Sequence, residues 1–430
     1  MGAMIYDEQK FLEEMSAFFN ERCVSTPSLL GVEFEHFLVD VDTLKSYAYD
    51  DPNGEKTILT ALSGEGWEII SQEGDAILGL KKNGHTITLE PGGQIEISLK
   101  AFDNLHEIEA AYLDVIREIK NHLKDNQRIV SIGYHPKSKI DDLPLLPKER
   151  YRYMYDYFED RGQYCHNMMK GTASTQVSID YSDEADYRKK NRVAQFLSPI
   201  LASLLDSTPI FEGKPYKGYN CRVDIWQHTD INRSKIIKGS FDENFGFMDY
   251  SRYLLNLPPL ILKSEGNYHF TKGVPLYELL KTYPLEMKGD FEHIQSMVFP
   301  DVRLKGFLEI RMADAMPYPY NMSVPMLIKA IFYNALLLEK YDVLAKSCSE
   351  DWVQKANGAI LKEQNPIVGN HDFKILKEMI FNDALTVLTS SECRPVMMLR
   401  SIVHENGSIK NWLSDVYKRD LKAFVETIAL

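Results

Sequence analysis

Cysteine is scarce in this 430-residue chain, and the five present (Cys23, Cys165, Cys221, Cys348 and Cys393) form no Cys-x-x-Cys pair. That excludes a zinc ribbon or a disulfide-held scaffold and leaves reduced, structural thiols as the expectation. No apolar run approaches the roughly 18 residues of a membrane span, and Met1 to Gln9 lacks a basic-then-apolar leader, so a cytoplasmic protein with no membrane partner is expected. Positive charge is also short. With 49 Lys and Arg against 62 Asp and Glu, the net charge of −13 disfavours a nucleic-acid partner. No Gly-x-x-x-x-Gly-Lys-Ser/Thr loop occurs, so a nucleotide would have to bind without a P-loop. Internal repeats, low-complexity tracts and Gly/Ser-rich linkers are missing too, and the length fits one large domain with an appendage or two to three smaller ones.

What the chain does have is acidic residues in strand-like stretches. Glu33 and Glu35 lie in Gly-Val-Glu-Phe-Glu, Glu90 and Glu96 in Leu-Glu-Pro-Gly-Gly-Gln-Ile-Glu, and Glu309 in Phe-Leu-Glu-Ile-Arg. Residues two apart on a strand share a face, so Glu33 and Glu35 point together while Val32 and Phe34 point the other way. Five carboxylates gathered without counter-charge would repel and resist desolvation unless divalent cations neutralised them. A polynuclear Mg²⁺ site follows as the expectation. Hard cations of this kind take oxygen ligands and bridge phosphates, which points to ATP-dependent chemistry.

Around these stretches the periodicity predicts an opening helix over residues 7–20 and strands over Leu30–Asp40, His85–Glu90 and Gln94–Ser98, with a break at Pro91-Gly92-Gly93. An Asn104-x-x-Glu107 box opens a helix whose Leu105, Ile108, Tyr112, Val115, Ile119 and Leu123 should cover the apolar side of a sheet. Thr172–Asp180 reads as a strand with Gln176 on its polar row. Asp183 caps a helix running to about Leu205, and Arg303–Met312 reads as one last strand with Glu309 and Arg311 on a shared face. Helical patterns over 322–346, 372–390 and 407–428 close the chain. The fold class is α+β, a curved antiparallel sheet cupping a polar site with helices behind it. The expected division is a catalytic domain over 1–320 and an α-helical C-terminal region over 321–430 packed on it.

Eight segments between Gly31 and Pro317 carry a family resemblance: Gly31-Val-Glu-Phe-Glu35, Leu89-Glu-Pro-Gly-Gly-Gln-Ile-Glu-Ile-Ser98, Pro147-Lys148-x-Arg150-Tyr151-x-x-Met154, Thr175-Gln-Val-Ser178, Ile225-Trp-x-x-Thr-Asp230, Phe241-Asp-x-x-Phe-Gly246, Phe299-Pro-x-Val-Arg303, and Leu308-Glu-Ile-Arg311 with Ala313-Asp314. In this order they resemble the plant-type and bacterial glutamate–cysteine ligases. The resemblance implies a glutamine-synthetase-like catalytic fold and ATP-dependent formation of γ-glutamylcysteine from L-glutamate and L-cysteine through a γ-glutamyl phosphate, with ATP and Mg²⁺ as cofactors. It implies Glu33, Glu35, Glu90, Glu96 and Glu309 as the metal set, and Glu309 and Arg311 as catalytic. Arg222, Gln176 and Trp226 are expected at the substrate, with Arg222 on a carboxylate, and Arg233, Lys235 and Lys305 at the nucleotide. Partners are small molecules only, and the chain is expected as a monomer or homodimer.

The sequence departs from the family in two places. Family members often read Thr-Val-Gln-Val-Asn where this chain has Ser174-Thr-Gln-Val-Ser178, and Gly-Ala-Asp-Gly-Gly where it has Met312-Ala-Asp-Ala-Met316. Alternative readings are therefore a γ-glutamyl ligase for another amine, or a non-catalytic glutamate- or nucleotide-binding regulator. Tyr151, Tyr153, Tyr155, Tyr157 and Phe158 are expected to pack, Cys165 and His166 to form no nucleophile–base pair, and His36 and His85 to ligate nothing.

Overall fold

The computed structural model describes residues 4–265, 267–286 and 289–430. Its centre is a nine-stranded sheet, antiparallel at every pairing: β1 (Leu30–Asp40), β2 (Glu68–Glu73), β3 (Ala76–Lys82), β4 (His85–Leu89), β5 (Ile95–Ser98), β6 (Gln127–Val130), β7 (Thr175–Ile179), β8 (Val302–Leu304) and β9 (Leu308–Ile310). The order is β8-β9-β7-β1-β5-β4-β3-β2, and β6 pairs with the last residues of β1. The long β1 thus lies in the middle, with β7 on one side and β5 on the other.

Alternation along each strand sorts the two faces. Val32, Phe34, Ile95, Ile97, Val177, Ile179, Leu308 and Ile310 are buried. As the periodicity requires, the helix Leu105–Lys120 covers this apolar side, its Tyr112 ring 4.5 Å from that of Phe34, with Asn104 accepting the Glu107 amide proton at its N-terminus. The helix Ser323–Phe332 packs against β7 and β1, and the helix Glu184–Leu204, capped by Asp183, lies along β8 and β9. The opposite face carries the charged row.

Two sequence expectations change. Arg303–Met312 is not one strand. Lys305-Gly306-Phe307 turns the chain so that β8 and β9 form a hairpin, with the Lys305 amide donating to Phe307 O at 2.8 Å. Alternation on both sides of the turn hid it, and Arg303 is thereby placed directly opposite Glu309. The helical pattern of 322–346 is broken at Tyr333-Asn334, where Asn334 caps a new helix, Ala335–Ala345. In the C-terminal region the helices Glu350–Ile360 and Ser390–Asn406 fall outside the predicted segments, and 407–428 is two helices, Ile409–Arg419 and Leu421–Ile428, divided at Asp420. The chain's last residues return to the sheet: Ser131 donates to Ile428 O at 2.9 Å and Leu430 to Ile129 O at 3.0 Å.

The break between β4 and β5 has a steric cause. Gly93 sits at φ +87°, and the Gly93 amide donates to Glu90 O at 2.8 Å. A Cβ on Gly92 would stand 2.4 Å from Lys170 O and 2.8 Å from Lys170 Cα, so only glycine lets the turn lie against the helix Cys165–Gly171.

Candidate active site

Strand register brings the predicted carboxylates onto one wall. Glu35 is the cross-strand partner of Glu96, Glu33 lies between Ser98 and Gln176, and Glu309 is opposite Ser178. Glu90 ends the β4 edge of the row, its amide donating to Gln94 O at 2.9 Å. The structure then divides the five by what surrounds them.

Glu33, Glu90 and Glu96 lie among other carboxylates. Burial raises Glu33 to about 7, and Glu96 and then Glu309 add to it. Glu96 also rises to about 7 through burial, then Glu90 and Glu35, although Thr88 donates to it at 2.8 Å. Burial and Glu35 raise Glu90, while Lys148 and Arg150 draw it back. Glu35 is buried and accepts three hydrogen bonds, from the Ser174 amide at 2.8 Å, Ser174 Oγ at 3.0 Å and Gln176 Nε2 at 2.8 Å. Its carboxyl is still raised by burial, against the pull of Arg222.

Glu309 is different, and here the expectation of carboxylates without counter-charge is corrected. It is fully buried, with Arg303 Nε at 2.6 Å, Arg311 Nη1 at 2.9 Å and Lys305 Nζ at 3.0 Å. Burial alone would raise it, but these three cations hold it well below the usual carboxylate range. Arg311 also donates to Gln176 Oε1, which fixes its guanidinium across β9 and β7. Among the described residues, no three His, Cys, Asp or Glu side chains form a ready-made metal cage. The donor chemistry of the row nonetheless fits hard divalent cations: oxygen ligands alone, on carboxylates that burial and then one another raise.

Arg222 and Trp226 occupy one face of the helix Cys221–Gln227, with the guanidinium 5.8 Å from the indole ring. Both are shared by two adjoining cavities. One, of about 80 Å³, is lined by Glu35, Glu90, Gln176, Arg311, Met154, Met168 and Phe299 among others. The second, of about 250 Å³, extends to Gln195, Ser234, Asp301 and Asn357. Arg222 is 5% exposed, and its Nε has no partner among the described residues.

The nucleotide candidates separate in the same way. Lys305 reaches Glu309 at the cationic end of the row, and Lys235 is exposed at the larger cavity. Arg233 is a correction. It is 1% exposed and bound to Asp230 at 3.1 Å, Tyr157 OH at 3.0 Å, Met297 O at 3.2 Å and Pro258 O, so its donors are taken by the protein rather than offered to phosphate. The Phe299–Arg303 and Ala313-Asp314 motifs also contain residues not singled out from the sequence: Arg303, which reaches Glu309, Asp301, which lines the larger cavity, and Asp314, whose charge acts on Arg222. Asp314 accepts from Thr208 Oγ1 at 2.7 Å and the Ser207 amide at 3.0 Å. Burial, then Asp206, pushes it up to about 7. His166 stacks on Tyr155 at 3.7 Å and bonds Tyr155 O, and His36 bonds Tyr112 OH at 2.9 Å.

A cupped antiparallel sheet with carboxylates along one wall and guanidinium groups at its end is the equipment of an ATP-dependent ligase. A sequence profile described as glutamate–cysteine ligase family 2 matches residues 29–363, and the chain belongs to that family. It is similar to the chloroplastic glutamate–cysteine ligase of Arabidopsis thaliana, at 31% identity over 387 residues covering 85% of this chain and 70% of the relative. The Brassica juncea enzyme is 30% identical over 383 residues, covering 85% and 71%. In fold it resembles the crystal structure of Francisella tularensis glutamate–cysteine ligase in complex with AMP, with a TM-score of 0.58 at 12% identity over 95% of this chain and 88% of that one.

Proposed function

We propose that the charged row is the phosphoryl-transfer centre of a ligase that joins the γ-carboxylate of L-glutamate to the amine of L-cysteine. Family membership supports the activity, and one structural observation carries the assignment of the site: carboxylates raised by burial and by one another (Glu33, Glu90, Glu96) along β1, β5 and the end of β4, and Arg303, Lys305 and Arg311 around Glu309 on β9. A carboxylate is a poor electrophile until a phosphoryl group is placed on it. The γ-carboxylate oxygen takes the terminal phosphoryl group of ATP, ADP leaves, the acceptor amine attacks the γ-carbon, and phosphate departs as the amine loses a proton.

Glu33, Glu90 and Glu96 would hold Mg²⁺, with Glu35 and Glu309 contributing carboxylates they share with protein donors. The cation would neutralise charge on the phosphate chain. Arg311, held by Glu309 and Gln176, is placed to meet negative charge on the transferring group, and Lys305 and Lys235 are placed for phosphate oxygens. Arg222, buried with an unpartnered Nε, serves the substrate carboxylate, and Trp226 forms the wall beside it. We place the catalytic part at 1–320 and regard 321–430 as a helical region that braces it.

A second reading keeps the phosphorylation and changes the acceptor. It is favoured by the buried Met312 and Met316, of which Met312 lines the larger cavity. Purified protein with ATP, Mg²⁺ and glutamate is offered cysteine and a panel of amines, and phosphate release and γ-glutamyl product are measured. Product with cysteine above all other amines is expected; inert cysteine beside a reactive amine selects the second reading.

A further inference from the structure

The helix that carries Arg222 cannot hold itself. Cys221–Gln227 is seven residues long, and Asn220 before it stands in the left-handed region, at φ 54° and ψ 53°, with no side-chain cap bond. So short a helix takes its stability and direction from what it is tied to. Because Arg222 Nε has no partner among the described residues, the aim of the guanidinium depends on the backbone beneath it.

The three residues leading into this helix are tied mainly to the C-terminal region. Lys410, on the helix Ile409–Arg419, donates to Gly218 O, the Tyr219 amide to Leu361 O at 3.1 Å, and Asn220 Nδ2 to Ile360 O at 2.8 Å. Lys410 is buried, its ammonium 4.8 Å from the Tyr216 ring and 5.0 Å from that of Tyr219. One more tie comes from Asp206, also buried, whose Oδ2 accepts the Asn220 amide at 2.7 Å. Its Oδ1 accepts the Thr208 amide at 3.1 Å, and Thr208 Oγ1 donates to Asp314, the carboxylate whose charge, after burial itself, bears most on Arg222.

A second buried lysine isolates this role. Lys377, on the helix Phe373–Val387, also feels the charge of Asp206, but it donates to Ser203 Oγ at 2.7 Å, Gln364 O at 2.8 Å and Asn365 Oδ1 at 2.9 Å. These bonds leave the approach to Arg222 untouched.

We propose that Lys410 and Asp206 are positioning residues of the ligase: from outside the substrate site they fix the left-handed entry at Asn220, and so the direction in which Arg222 meets a carboxylate. This deepens the ligase reading and rests on it. It gives the C-terminal helices a part in substrate affinity as well as in bracing.

The test compares Lys410→Met with Lys377→Met in the full chain. Each removes one buried ammonium near Asp206, so a loss of stability alone is common to both. Hydrogen exchange read by mass spectrometry should be about tenfold faster at the Tyr219 and Asn220 amides in Lys410→Met, and within about threefold of wild type in Lys377→Met. In steady-state kinetics Lys410→Met should raise the KM for glutamate about tenfold, with the KM for ATP and the kcat at saturating glutamate within about threefold, and Lys377→Met should leave all three within about threefold. Should Lys410→Met fail to fold, Asn220→Gly, which keeps the left-handed backbone and loses the bond to Ile360 O, should speed exchange and raise the KM for glutamate about threefold. Equal changes in the two lysine variants, faster exchange with an unchanged KM for glutamate, or wild-type behaviour of Asn220→Gly overturns the proposal. Calorimetric titration with glutamate separates it from the ligase reading. A wild type that forms no γ-glutamyl product, but whose glutamate binding weakens about tenfold in Lys410→Met, loses the ligase reading and keeps the positioning role; turnover with equal glutamate binding in both does the reverse.

Discussion

Glu35 and Glu96 face each other across β1 and β5, and among the described residues no cationic side chain bonds either: Ser174 and Gln176 donate to the first, Thr88 and Ser98 to the second. Like charges directly opposite in an antiparallel pair cost a few tenths to about 1 kcal/mol. Glu96→Gln should therefore leave the metal-free protein as stable or up to about 1 kcal/mol more stable. Turnover should fall by about 100-fold, a loss of about 2.7 kcal/mol in barrier lowering. Calorimetric melting and phosphate release measure the two together, and wild-type turnover would remove Glu96 from the metal set.

Glu309 should behave in the opposite way. Its removal leaves Arg303 and Arg311 buried without their partner, and breaking such a pair costs about 3–5 kcal/mol. Glu309→Gln is expected to lower the urea midpoint sharply and to lose activity, whereas Glu33→Gln loses activity with its midpoint intact. Equal midpoints for the two variants would contradict the division of the row into compensated and uncompensated carboxylates.

Chelation supplies a third check. Treatment with EDTA should abolish turnover and Mg²⁺ should restore it. At 100-fold excess over its Kd, Mg²⁺ should add about 2.7 kcal/mol to the stability of the wild type. The gain should shrink in Glu33→Gln, and a thermal shift of the same size in both proteins would locate the cation elsewhere.

The fourth prediction concerns pH and lies outside the row. Glu55 is 1% exposed beneath the Gly93 turn, its Oε2 has no partner among the described residues, and burial raises its carboxyl to about 8. With the folded value above the unfolded one, the native state binds more protons between about pH 4.5 and 8. Stability should fall as pH rises through that window, by at most about 1.4 kcal/mol per pH unit from this group. Glu55→Gln should flatten the difference between the two pH profiles and be the more stable protein at pH 8. Parallel denaturant profiles from pH 5 to 8 would refute it.

Much of the row was legible because a period of two is a strong signal. Val32 and Phe34 against Glu33 and Glu35, and Ile95 and Ile97 against Glu96, fix which face is wet before any partner strand is known. Register is a different matter. That Arg303 meets Glu309 depends on a turn at Gly306, whose flanks alternate as smoothly as a single strand would. The error over Arg233 has a similar origin: sequence shows a cation beside Asp230, but whether its donors face phosphate or Tyr157 and Met297 O is decided by chain segments far away in sequence. The larger cavity was invisible because Gln195, Ser234 and Asn357 come from three helices that share no motif. Ser349 followed by Glu350 and Asp351, a capping signal, could have revealed the helix that carries Asn357.

The turn pinned by Gly92 gives the acidic wall its mechanical character. Because Gly92 stands against the Lys170 backbone and the Gly93 amide bonds Glu90 O, the short loop that joins Glu90 to Glu96 is fixed at both of its glycines. Glu90 and Glu96 are thus held near one another by the shape of the loop itself, so that a cation bound there would meet ligands already preorganised instead of having to gather them.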